Sequence, residues 1–252
     1  MPATLGYFQR AKSLNLLVVK YSSGSLMSVL FPVLVQVKND LQRFRKIAIK
    51  MIGIISFIVF LLLGGLYLLS EELIIFIFSE KWLPSVHFFQ ILVFSGFAYP
   101  INSLLLSLLT SRGNSKEFLR SEIYRKSLVS INLLVLYLFG INSYLYGLVV
   151  ISILGVLLNI FFASREIKSS FFSFLEPIFD QAIIVILSVV STVYLMLFID
   201  MQSEILFFVK GSLFTVLYFT FSRLFKTKSY NSLLEQIISK RSTTPLENTK
   251  VL

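Results

Sequence analysis

The chain has 252 residues, of which 56% are hydrophobic and only 14% charged, with a mean hydropathy of +0.83. A water-soluble domain carries about 25% charged residues and roughly 45–50% apolar ones, so this chain has too few charges to coat a globular surface, and a soluble enzyme is excluded. The net charge of +10, from 23 Lys and Arg against 13 Asp and Glu, would suggest nucleic acid in a soluble protein; here it reads as membrane orientation, and no nucleic-acid partner is expected.

A spanning helix needs about 20 mostly apolar residues. Seven stretches qualify: Leu14–Val37, Ile47–Leu69, His87–Leu109, Ile123–Phe139, Tyr144–Ala163, Ile178–Ile199 and Ile205–Phe221. The fourth carries Arg125 and Lys126 in its first turn, where long side chains can reach the headgroups. Gly140-Ile141-Asn142-Ser143 separates it from the fifth as a tight hairpin, with turn-forming Gly and Asn. The apolar runs are continuous, whereas barrel strands alternate with period two. The expected fold is an all-α polytopic bundle of about seven transmembrane helices in residues 1–222, followed by a tail in 223–252. In that tail Leu233, Leu234, Ile237 and Ile238 precede Lys240 and Arg241, a pattern that suits a surface-lying amphipathic helix or a frayed polar tail, and disorder is expected from Ser242. Met1-Pro2-Ala3-Thr4 lacks the charged start of a signal peptide.

The connectors sort by charge. Lys38–Lys50, Arg112–Lys126, Arg165–Glu176 and the tail from Arg223 are basic. Ser70–Ser85 and Asp200–Glu204 are acidic, and Gly140–Ser143 is uncharged. The two kinds alternate at every crossing, and eighteen of the 23 Lys and Arg fall on one side. Cytoplasmic loops collect Lys and Arg, so the basic side and the C-terminal tail are expected in the cytoplasm and residues 1–13 outside. Arg10 and Lys12 violate that rule. Either the first helix begins before Leu14, or these cations serve another purpose.

Catalytic groups are sparse. There is no phosphate-cradling G-x-x-x-x-G-K-[ST] loop and no Cys, and His87 is the sole histidine. No catalytic residue, metal ligand or cofactor is therefore expected, and a carrier is favoured over a catalyst. Charge within a span is costly and usually faces a cavity. Lys20 lies six residues into the first span and Lys210 five into the last. Each could reach the interface along its alkyl stem, or, with Arg10 and Lys12, give a cationic lining to an anionic cargo. Pro32 and Pro100 sit inside spans, with Gly96 one turn before Pro100, and proline in a helix removes a hydrogen bond and kinks the rod. Asn15, Asn102, Asn132 and Asn159 are expected to hydrogen-bond between helices.

The order of short motifs then becomes recognisable. Leu5-Gly6-Tyr7-Phe8-Gln9-Arg10-Ala11 opens a span that ends in Phe31-Pro32-Val33-Leu34 and Val37-Lys38-Asn39-Asp40. Ser79-Glu80-Lys81-Trp82-Leu83-Pro84-Ser85 follows the next span, and Ser111-Arg112-Gly113-Asn114 comes later. Over about residues 5–165 this series resembles the C-terminal half of Wzx-type polysaccharide flippases, in the multidrug/oligosaccharidyl-lipid/polysaccharide exporter superfamily. The resemblance implies one lobe of a two-lobed bundle around a cavity, and flipping of an undecaprenyl-diphosphate-linked oligosaccharide across the bacterial inner membrane for O-antigen, capsule or exopolysaccharide. Such proteins are roughly twice this length, so a lobe lacking its N-terminal counterpart is expected, with that lobe or polysaccharide assembly proteins as partners beside membrane lipids. Two alternatives stay open: a small-molecule antiporter of the superfamily, for which only Asp180 approaches an intramembrane acid, and a membrane polysaccharide polymerase or ligase, for which the outer loops are short and acidic.

Overall fold

The computed structural model describes residues 2–198, 203–227, 229 and 230. Among these residues the chain is all helical, with no strand. The helices are α1 (Pro2–Gln36), α2 (Leu41–Leu68), α3 (Ser70–Phe78), α4 (Ser85–Gly96), α5 (Ala98–Ser111), α6 (Ser115–Glu166), α7 (Phe171–Met196) and α8 (Ser203–Leu224). Six of the seven apolar stretches fall mainly on a single helix, and the third, His87–Leu109, runs across α4 and α5. By length and composition four helical segments could cross a membrane: Leu41–Leu68, Ser85–Ser111, Ser115–Glu166 and Phe171–Met196. The outside of the bundle is apolar: Phe76 is 88% and Tyr137 87% exposed, which water would not tolerate at this density and lipid would. This is a membrane protein.

Local sequence explains where the rods begin and bend. Asp40 caps α2, its carboxylate accepting the Arg43 N–H at 3.0 Å. The turn from α5 to α6 uses Gly113 in the left-handed region, φ 81°. There the Gly113 N–H donates to Thr110 O and the Asn114 N–H to Leu109 O, both at 3.0 Å, which closes the end of α5. Asn114 then caps α6 by accepting the Glu117 N–H at 3.2 Å. Serial use of Gly and Asn thus gives the Ser111–Asn114 motif a mechanical reason.

The helix α6 folds back on itself at Gly140, φ 82° and ψ −176°, where the sequence places its turn. Its arms are antiparallel: Asn114 bonds Glu166, Ser121 bonds Asn159, and Asn132 donates to Tyr144 O at 3.0 Å. A Cβ at Gly147 would collide with Asn132, so the missing side chain sets how close the arms come. Between α4 and α5 the rod is interrupted at Phe97. Pro100 has no N–H to offer the carbonyl of Gly96, four residues back, and this places the interruption.

Four helices start well before the apolar stretches they carry. α1 begins at Pro2 rather than Leu14 and α7 at Phe171 rather than Ile178, and α2 and α6 likewise begin at Leu41 and Ser115, before Ile47 and Ile123, because a helix continues beyond the hydrocarbon wherever its polar residues find surface. The amphipathic segment expected around Leu233–Arg241 lies outside the described residues.

The main core joins α1, α2, α4, α5, α6 and α7, with Phe44, Phe89, Ile101, Leu104, Leu105 and Phe174 fully covered. A second cluster of Phe57, Leu68, Ile184, Phe214 and Tyr218 holds α8 against α2 and α7. Gly64 is the contact point. A Cβ there would collide with Val185 and lie 2.7 Å from Phe214 Cζ, whereas one on Gly65 would sit 3.7 Å from the same ring. Gly64→Ala should therefore lower stability in detergent by about 1–3 kcal/mol, as overpacking does, while Gly65→Ala should stay within about 0.5 kcal/mol. Equal effects in a denaturation series would contradict this packing.

Candidate functional site

The connectors gather at two ends. At one, Arg45 donates through Nε and Nη2 to Ile167 O at 3.3 and 3.0 Å, and Arg112 donates to Lys38 O at 2.7 Å. Arg112 also lies 3.6 Å from Glu166. These bonds tie together the three connectors that the sequence marks as basic. At the opposite end lie the start of α1, the acidic segment around α3 and the start of α8, joined by the contacts described next.

A cation on an aromatic face organises the start of α1. The Arg10 guanidinium sits 4.9 Å from the Trp82 ring centre and 5.5 Å from that of Phe78. Tyr7 meets Trp82 edge-on at 5.9 Å. Trp82 reaches them because Ser79, at φ 84°, reverses the chain after α3 and a single tight turn, Glu80–Trp82, follows. Lys12 leans back over Phe8, 5.8 Å from its ring centre. Residues two apart on a helix point to different faces, so Arg10 and Lys12 flank α1 rather than converge. Both are exposed, and neither has a carboxylate partner among the described residues. Lys20 lies further along α1, its side chain outside the described atoms.

Lys210 is placed differently. Its Nζ donates to Glu72 Oε1 at 2.8 Å, and both side chains are only 19% exposed. The pair pins α8 to the first turn of α3. Glu72 lies 138 positions from Lys210 in the chain, and the sequence signal for the pair is a lone cation in one span beside an acidic connector.

The three kink residues also part company. Pro32 lies within α1, which runs on to Gln36. Gly96 and Pro100 form the interruption between α4 and α5. Gly96 has a second use: a Cβ there would come 3.2 Å from Val19 Cγ2 and 3.3 Å from Asn15 Oδ1. Asn15 donates to Leu92 O at 3.1 Å in the same crossing. The close approach of α1 to α4 and the break in the rod therefore coincide. Further inside, Asn159 donates to Asn102 at 2.8 Å and receives Ser121, which links α5 to both arms of α6. Among the described residues no group of three His, Cys, Asp or Glu side chains is placed to hold a metal.

Residues 1–87, which contain Arg10, Lys12, Lys20 and Trp82, match a family described as polysaccharide biosynthesis protein. A membrane protein from the cps region of Klebsiella pneumoniae is 36% identical over 89 residues, covering 34% of this chain and 18% of that protein. The fold is similar to that of the lipid II flippase MurJ in an inward closed conformation, with a TM-score of 0.62 and 20% identity over 91% of this chain. The match takes in 48% of the MurJ chain, so this chain spans about half the length of that flippase.

The Glu72–Lys210 pair yields a direct test. Removing one member of a largely covered pair strands the other charge. Lys210→Met should cost about 1–3 kcal/mol of stability in detergent, and adding Glu72→Gln should restore most of it. Strictly additive losses in this double-mutant cycle would show that the two charges do not interact.

Proposed function

We propose that the chain works as one lobe of a flippase that moves undecaprenyl-diphosphate-linked oligosaccharide units across the bacterial inner membrane during polysaccharide synthesis. The observation that carries this reading is the polysaccharide-family match over residues 1–87, the segment that also holds the exposed cations of α1. The likeness of the bundle to half of a lipid flippase supports it.

The physical demand of such transport is electrostatic. A diphosphate must pass a low-dielectric region while its lipid tail stays in the bilayer. Opposite unit charges about 4 Å apart attract by about 4 kcal/mol at an effective dielectric near 20, so a few cations offset a substantial part of the barrier. Arg10, Lys12 and Lys20 are the candidates on α1, whereas Lys210 is engaged by Glu72 and is assigned to holding α8. No bond in the cargo needs to change, so the protein acts as a carrier and not as an enzyme. The break at Gly96–Pro100, where α1 crosses α4, gives the lobe a place to flex as it alternates between faces. By the distribution of Lys and Arg, the end tied by Arg45 and Arg112, together with the C-terminal tail, faces the cytoplasm.

Cells that depend on this protein should show surface glycan reduced at least severalfold, about tenfold for the loss of roughly 1.4 kcal/mol, when they carry Arg10→Ala with Lys20→Ala. The amount of protein in the membrane should not change. Normal glycan display from that double variant would remove α1 as the cargo-facing element.

A further inference from the structure

A groove at the basic end plays no part in the cation cluster on α1. It opens between the two arms of α6 and has a volume of about 600 Å³, within the range of roughly 300–1,000 Å³ that small-ligand sites occupy. Its lining is divided. Arg165 stands near the end of its arm, Arg120 lies about one turn further in on the other, and Tyr124, Leu158 and Phe162 supply the apolar part of the wall. Tyr124 and Phe162 stack nearly parallel, 9° apart, with ring centres at 6.5 Å.

The two arginines and two glutamates of the lining sum to zero, but they are unevenly engaged. The two acids of the groove are both engaged: Glu117 by Arg120 at 3.2 Å, and Glu166 by Asn114 at 2.6 Å and Arg112 at 3.6 Å. Arg165 has no carboxylate partner among the described residues; it lies over the Phe161 ring, 4.5 Å from its centre. Its planar fork of N–H donors is thus open, and that geometry matches a phosphate oxygen pair better than any point acceptor. Toward the middle of the hairpin the outward face continues as Ile131, Leu134 and Leu138, 58%, 62% and 67% exposed. An occupant must therefore carry an anion at the level of the loops and hydrocarbon toward the bilayer centre.

We propose that this groove binds an anionic phospholipid of the adjacent leaflet, with the phosphodiester between Arg165 and Arg120 and the first methylenes of an acyl chain against Tyr124, Leu158 and Phe162. The site requires only that the hairpin lie in a bilayer, so it stands whether or not the chain flips a glycan carrier. Its effect is to fasten the open end of the hairpin to the membrane surface.

The test uses purified protein in detergent with phosphatidylglycerol, phosphatidylcholine or inorganic phosphate added, read by thermal unfolding and by native mass spectrometry. Phosphatidylglycerol should bind at least about tenfold tighter than phosphatidylcholine, from about 1 kcal/mol per basic residue at a membrane surface. Inorganic phosphate should give no shift, because it lacks the chain that fills the apolar wall. Arg120→Ala with Arg165→Ala should abolish the preference, and Lys116→Ala, an exposed cation of the same turn outside the groove lining, should retain it. A wild-type protein that treats the two lipids alike, a preference that survives the double variant, or equal loss in Lys116→Ala would each overturn the site. Should the double variant not fold, photoreactive phosphatidylglycerol on the wild-type protein decides: labelling within 114–124 and 158–166 supports the site, and labelling elsewhere alone refutes it.

Discussion

Hydrocarbon offers no partner to a bare peptide group or an isolated charge, and the architecture follows from that prohibition. Helices close the backbone bonds within each segment. Several polar side chains inside find partners: Asn159 with Asn102 and Ser121, Asn132 with Tyr144 O, and the Tyr218 hydroxyl 2.7 Å from Gln181 Oε1 and 3.0 Å from Phe57 O. Charges are driven to the two ends of the bundle. There Arg45 and Arg112 serve as ties between connectors at one end, and Arg10 settles against aromatic faces at the other. Lys210, set part-way down α8, is kept by the carboxylate of Glu72.

With lipid outside, burying apolar side chains gives little drive for helices to associate, and close packing has to supply it. Glycine appears where helices touch. Gly64 lets α2 meet Val185 and Phe214, Gly147 brings the arms of α6 together, and Gly96 admits α1 to α4. At Gly96 this packing role meets a mechanical one, because Pro100 breaks the helix at the same level.

Much of this was legible in sequence because the strongest signals were physical extremes. Runs of about 20 apolar residues have one stable conformation in lipid, and the described residues are all helical, with no strand. The Gly140 reversal and the Gly96–Pro100 break carry their own residues. The rest depended on contacts between distant segments. Arg10 and Lys12 read as loop charges, whereas they lie on the helix beginning at Pro2, with Arg10 over Trp82 and Phe78 from another segment. Lys210 looked like a companion of Lys20 until Glu72, 138 positions away in the chain, stood beside it. The anchoring groove on α6 was invisible for the same reason: Arg120 and Arg165 become neighbours only after the hairpin folds.

The central claim is that the two connector classes, basic and acidic, lie on opposite faces of the membrane. The chain contains no cysteine, so single cysteines report cleanly. Lys81→Cys lies in the acidic connector, and Asn39→Cys and Lys116→Cys lie at the basic end, all at exposed positions. A membrane-impermeant maleimide applied to cells whose inner-membrane surface is accessible from outside should label Lys81→Cys at once. Asn39→Cys and Lys116→Cys should react only after the membrane is permeabilised. Labelling of all three without permeabilisation, or labelling in the reverse order, would contradict the arrangement on which the proposed transport depends.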